Sequence, residues 1–163
     1  MYILYFSQNG TTKRYAELLS EATGLPCTGA PAEIPFGERV ILFGRVTAGK
    51  IQGYRYAFRH YDLQAVIAVG LAPTGAQEKE LRKSNNLRDT TKLFTLQGGY
   101  YPEQLQGMEK RIMKLVTGHL IKTINRKKDL TDADRDLLEL LQKGGDRVSR
   151  NNLSAVLKWY SGN

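Results

Sequence analysis

Short apolar runs alternate along this chain with stretches in which apolar residues recur every third or fourth position. The runs 1–6, 39–44 and 65–70 are continuous and rich in β-branched and aromatic residues, which predicts strands covered on both faces. Residues 25–28 and 92–96 are shorter candidates of the same kind. Between them, residues 12–23 predict a helix with Tyr15, Leu18, Leu19 and Ala22 on one face, Gly24 at its C-cap and Pro26 beyond it. Pro31, Pro35 and Gly37 mark residues 29–38 as a loop. Residues 46–53 read as a turn, 54–61 as a short helix, 71–75 as a loop and 76–87 as a polar helix. A long helix is predicted over 103–125, its apolar stripe formed by Leu105, Met108, Ile112, Leu115, Val116 and Leu120. Thr131 and Asp134 have the spacing of a capping box, ahead of a helix that buries Leu137, Leu138 and Leu141. Gly144 and Gly145 end it. A last amphipathic segment covers 151–160, with Leu153, Val156, Leu157 and Trp159.

Five strands alternating with helices predict an α/β sandwich around a parallel sheet, with right-handed crossovers. In such sheets ligands bind beyond the carboxyl ends of the strands. Glycine-bearing loops expected at that edge are 7–12, 46–49 and 71–75, with 97–101 close by. The 163 residues suit one domain, 1–163, large enough for a full core. Neither an internal repeat nor a low-complexity linker interrupts it.

Composition narrows the class. Charged residues make up 25% and hydrophobic ones 41%, which fits a soluble globular chain. No apolar run approaches the roughly 18 residues of a membrane span, and no export leader is visible, so a cytoplasmic location is expected. Cys27 is the sole cysteine, which forbids an intrachain disulfide and argues against a thiol-bound metal. Its expected role is that of a small, partly buried apolar side chain. The net charge of +8 favours acidic partners, anionic substrates or a membrane surface. No nucleic-acid recognition module accompanies it. The densest basic stretch, Lys110, Arg111, Lys114, Lys122, Arg126, Lys127 and Lys128, reads first as a solvated helix face. An interfacial role would require exposed apolar residues beside it.

The candidate chemistry lies between the first strand and the first helix. Ser7-Gln8-Asn9-Gly10-Thr11-Thr12 offers hydroxyls, amides and backbone N–H groups at a helix N-terminus, an arrangement that favours an anion. Gly10 permits close approach of the backbone. The loop lacks both the triphosphate and the dinucleotide glycine patterns. It also lacks Lys and Arg, which suits a single phosphate monoester held without a counter-cation. The competing reading is an ordinary turn with a Thr N-cap. His60 and His119 have no carboxylate or cysteine partner in sequence and read as structural or surface residues. No catalytic set or metal cluster stands out.

On this loop, Ser7-x-Asn9-Gly10-x-Thr12, the chain resembles the flavodoxins, whose phosphate loop reads Thr/Ser-x-Thr-Gly-x-Thr. Asn9 replaces the middle Thr. The resemblance covers residues 1 to about 120. It is closest to the flavodoxin-domain branch that includes the menaquinone-dependent protoporphyrinogen oxidases, through Gly98-Gly99-Tyr100-Tyr101-Pro102 and the basic helix that follows. Val148 to Leu153 also looks like a closing helix seen in flavodoxin-domain proteins. The resemblance implies a three-layer sandwich with strand order 2-1-3-4-5, helices on both faces and extra C-terminal helices. It implies noncovalent FMN, its phosphate surrounded by Ser7, Gln8, Asn9, Gly10, Thr11 and Thr12. The isoalloxazine would lie between Val46-Thr47-Ala48-Gly49 and Leu71-Ala72-Pro73-Thr74-Gly75. Gly49 would present a backbone group to flavin N5.

Two departures qualify what the resemblance implies. Neither ring-binding loop carries an aromatic residue, whereas electron-transfer flavodoxins stack Trp or Tyr there. Tyr100 and Tyr101 serve equally as stacking residues or as sheet-edge packing, and Tyr54 and Tyr56 read as packing. The charge is also opposite to that of acidic electron carriers. Three functions stay open: an FMN-dependent oxidoreductase linked to a quinone or to protoporphyrinogen, a non-enzymatic carrier between redox proteins, and a flavin-free scaffold. The partners expected are a redox protein or quinone, with an anionic substrate or a peripheral membrane contact, and no specific nucleic acid.

Overall fold

A computed structural model describes residues 1–7 and 10–162. Two compact units divide the chain: Met1–Gly98 with the segment from Val148, and Gly99–Arg147.

In the first unit the strands are β1 (Tyr2–Phe6), β2 (Cys27–Gly29), β3 (Arg39–Thr47), β4 (Lys50–Ile51), β5 (Asp62–Gly70) and β6 (Lys92–Gln97). The helices are α1 (Thr11–Thr23), α2 (Tyr54–His60) and α3 (Glu78–Asn85). The sheet has six strands in the order β2-β1-β3-β5-β6, with β4 paired to β3. All pairings along that order are parallel. The α/β class and the parallel sheet expected from the sequence are thus present, but the strand count is six rather than five. The extra strand is β4, antiparallel to the end of β3 through Val46 with Ile51 and Thr47 with Lys50.

Alternation along the strands sorts the core into two layers. Ile3, Ile41, Phe43, Ile67 and Leu96 face α1, joined by Leu153 and Val156 from the closing segment. Leu4, Val40, Leu42, Val66 and Leu93 point the other way, toward α2 and α3, where Tyr54, Ala57 and Leu81 cover them. The closing segment is a 3-10 turn (Arg150–Leu153) running into a helix, Ser154–Ser161. Its anchor is polar. The fully buried Tyr15 hydroxyl donates to the Gln97 carbonyl at 2.6 Å and accepts from Asn152 Nδ2 at 2.6 Å, tying α1, β6 and the closing turn together. Tyr15→Phe is expected to cost about 1–2 kcal/mol in urea denaturation, because it removes both hydrogen bonds of this buried hydroxyl without changing shape.

Cys27 on β2 is half-buried, and burial, followed by the Glu17 charge, pushes its thiol up to about 11. The unfolded thiol titrates lower, near 9.0. The native state therefore holds the proton longer, and this group's contribution to stability falls as pH rises between those two values. Alkylation of the folded protein at pH 8 is expected to be much slower than that of the urea-unfolded chain.

The second unit holds β7 (Gly99–Tyr100), α4 (Gly107–Asn125), α5 (Asp132–Lys143) and β8 (Gly145–Asp146), with a 3-10 turn at Pro102–Gln104. β7 and β8 pair antiparallel. The α5 capping box forms as expected: the Thr131 hydroxyl accepts from the Asp134 amide, and Asp134 accepts from the Thr131 amide. Its Leu137, Leu140 and Leu141 are buried.

The long helix departs from expectation. It starts at Gly107 rather than 103, since Pro102 opens a separate turn. Its predicted stripe also faces outward. Met108, Ile112, Leu115 and Val116 are exposed, and the buried positions are Thr117 and Ile124. Thr117 enters the interior because its hydroxyl bonds back to the Met113 carbonyl at 2.8 Å, which removes the cost of burying it. The helix after β5 is also shorter than the expected 76–87: Gln77 and Asn86, both at positive φ, bound α3.

Candidate functional site: the carboxyl edge of the sheet

Parallel pairing brings the ends of β1, β3, β5 and β6 to one edge. Phe6 lies opposite Gly44, Gly44 opposite Ala68, and Gly70 opposite Gln97. The loops that leave this edge include three of those singled out in the sequence.

β1 ends at Phe6 and α1 begins at Thr11, with Gly10 as N-cap at φ 84°. That left-handed geometry favours glycine. It also corrects the alternative of a Thr N-cap, since the N-cap position is this glycine. The first turn of α1 holds no acidic residue. Its N-terminal field is therefore not neutralised from within the first turn. The Ser7 hydroxyl accepts from the Gly10 amide at 3.1 Å, so Ser7 shapes the turn from inside. Gln8 and Asn9 lie outside the described residues. Thr11 is buried and bonded, whereas Thr12 is fully buried and its Oγ1 has no hydrogen-bond partner among the described residues. A buried hydroxyl left unpaired costs about 1–3 kcal/mol.

The cradle adjoins the neighbouring strand ends. A Cβ built on Gly98 would lie 3.2 Å from Thr11 Oγ1 and 3.0 Å from Val69 Cγ1. A glycine after β6 thus lets α1 approach the end of β5. Tyr15 and Gln97, bonded as described, fix the same junction one turn along α1.

The second predicted loop is mostly strand. Val46 and Thr47 belong to β3, which runs three residues past its expected end because β4 pairs with it. What remains is a two-residue hairpin turn, Ala48-Gly49, with φ of 48° and 74°. Positive φ at both positions is the I′ geometry that matches strand twist. The Gly49 carbonyl accepts from Ser84 Oγ at 2.7 Å and Asn85 Nδ2 at 2.9 Å, and Asn85 Oδ1 accepts from the Ile51 amide at 2.9 Å. Ser84 and Asn85, at the end of α3, therefore clamp this turn. They were not legible as site residues, since a Ser-Asn pair at a helix end reads as an ordinary C-terminus.

The third loop, Leu71, Ala72, Pro73, Thr74 and Gly75, is irregular as expected. It is tied back to β6: Thr74 Oγ1 accepts from the Gln97 amide at 3.1 Å, and Gln97 Nε2 donates to the Leu71 carbonyl at 3.2 Å. Val46 packs over Gly70, where an added Cβ would lie 3.3 Å from Val46 Cβ. The ends of β3 and β5 are thereby in contact. Thr95 on β6 is a second buried hydroxyl without a partner among the described residues. Threonine is a common strand former, so the sequence carries no signal for it.

Tyr54 is buried in the core over α2, as expected, and Tyr56 stacks on His60 with ring centroids 4.3 Å apart. Tyr100 is buried and lies on β7 of the second unit. Among the described residues no group of three His, Cys, Asp or Glu could hold a metal.

Compared with protein-family models, curated proteins and solved structures, the chain matches none.

Proposed function

We propose that this protein is a flavodoxin-like, FMN-binding protein that passes electrons between a small substrate and a quinone or reductase. The observation that carries this reading is Thr12: a fully buried hydroxyl without a hydrogen-bond partner among the described residues, in the first turn of a helix whose N-cap is a glycine. A phosphate monoester is an acceptor suited to that donor and to the adjacent amides. No cation is needed when the helix dipole and several neutral donors share the charge. The parallel order in which the first strand lies inside the second and third also supports a ligand at this edge, where the winding direction reverses.

Gly10, Thr11 and Thr12, with Ser7 supporting the turn, would hold the phosphate together with Gln8 and Asn9. Ala48-Gly49 and Leu71 to Gly75 would flank the ring. Bound flavin supplies hydride and single-electron chemistry, so the chain need not carry a catalytic residue of its own. The chain contributes rigidity instead. Ser84 and Asn85 hold one ring-side loop in place and Gln97 the other. A ring pocket held this way requires little reorganisation on binding.

The deciding experiment titrates the apoprotein with FMN and with riboflavin. FMN should bind at least about tenfold more tightly, since a single charge-assisted hydrogen bond contributes about 1.5–3 kcal/mol. Equal affinities would remove the phosphate site from the proposal, and absence of both would remove the flavin. Quinone-dependent turnover of the loaded protein then separates an enzyme from a carrier.

A further inference from the structure

The outward stripe of α4 bears a second, independent reading. Met108, Ile112, Leu115 and His119 succeed one another at steps of four, three and four residues, so they share one face over about three turns. Met108 and Leu115 are each 76% exposed and Ile112 is 46% exposed. A contiguous apolar stripe in water marks an interaction surface.

What lies beside the stripe selects its occupant. Arg111, Lys114 and Lys122 fall at three- and eight-residue steps, on the adjoining face of the same helix. All three are exposed, and none makes an ion pair among the described residues. Arg126 and Lys128 continue the charge beyond the helix end, whereas Lys127 is paired with Asp134 at 2.6 Å, and Glu109 is the only acidic residue in 107–128. Lysine is depleted from protein–protein interface cores. A second copy of the chain would bring a like-charged row against this one. Apolar side chains flanked by unpaired lysine and arginine suit the boundary of an anionic bilayer, where the chains enter the acyl region and the cations meet lipid phosphates and carboxylates. No helix among the described residues is long and apolar enough to cross a membrane, so the contact lies in the plane of the surface.

We propose that α4 is an interfacial helix that docks the protein on anionic lipid bilayers through Met108, Ile112 and Leu115, with Arg111, Lys114 and Lys122 on the headgroups. The proposal goes beyond the flavin reading and is tested without flavin. The probe is flotation of the full chain with vesicles of phosphatidylcholine alone, and with about three parts phosphatidylserine to seven of phosphatidylcholine, at low and high salt. Binding is expected to the mixed vesicles, weakening at high salt. Leu115→Asp should weaken it at least about tenfold, and Arg111→Glu with Lys114→Glu by at least as much. Because these side chains are exposed, circular dichroism should show the variants folded. Leu115→Trp should give blue-shifted emission only with the mixed vesicles. Failure to bind mixed vesicles at low salt, binding indifferent to Leu115→Asp, or a lipid-independent dimer that Leu115→Asp dissolves would each overturn the proposal.

Discussion

Gly53→Ala is expected to cost about 3 kcal/mol of folding stability, from two effects that act together. Gly53 is the N-cap of α2 at φ 80°, a left-handed conformation that an L side chain adopts at a cost of roughly 1–2 kcal/mol. An added Cβ would also sit 2.2 Å from Phe6 Cδ2. Phe6 cannot move freely, since it pairs with Gly44 on β3 and its ring meets Tyr56 edge-on. Overpacking of this kind costs roughly 1–3 kcal/mol. Gly37→Ala supplies the control: it has φ 82° with open space around the added Cβ, so it should show only the conformational part. Urea denaturation with an unchanged slope distinguishes the two. Equal losses would mean that the Phe6 contact contributes nothing. Phe6 is followed directly by Ser7, so displacement of its ring should also loosen the cradle and weaken FMN binding.

Thr12→Val is expected to act with opposite signs on the empty and the loaded protein. Valine has the shape of threonine without its hydroxyl. In the apoprotein the substitution removes a buried donor that has no partner among the described residues, and stability should rise by about 1 kcal/mol or stay level. In the FMN complex it removes a charge-assisted hydrogen bond, so affinity should fall about 10- to 100-fold, while riboflavin affinity is unchanged. Isothermal titration with both ligands, beside thermal denaturation of the apoprotein, reads all three numbers. A Thr12→Val protein that is less stable without ligand would show that the hydroxyl serves the fold, and the cradle would lose its main support.

Much of the first unit could be read from residue order. Continuous apolar runs at 39–44 and 65–70 are readable because a strand covered on both faces tolerates few polar residues, and each run ends in a glycine: Gly44 faces the Gln52 carbonyl and the Ile51 side chain, and Gly70 lies under Val46. β4 escaped notice because Ala48 takes a positive φ that its side chain gives no hint of, and two residues of strand are too few for a period. The α4 stripe is legible from its spacing, but the side it faces is not. Periodicity reports that a face exists, but only packing decides which face is covered, and back-bonding let the polar Thr117 be buried along with Ile124. The Ser84 and Asn85 clamp joins residues 35 and 36 positions apart from Gly49, a distance over which local pattern carries no information.

The two ends of the second unit pair with each other in an antiparallel ladder, Gly99 opposite Asp146 and Tyr100 opposite Gly145. Paired residues in an antiparallel ladder lie only about 5 Å apart. The two ends of the stretch 99–147 therefore adjoin. A segment with such adjoining ends can be excised, lengthened or exchanged with only a short splice to rejoin its flanks.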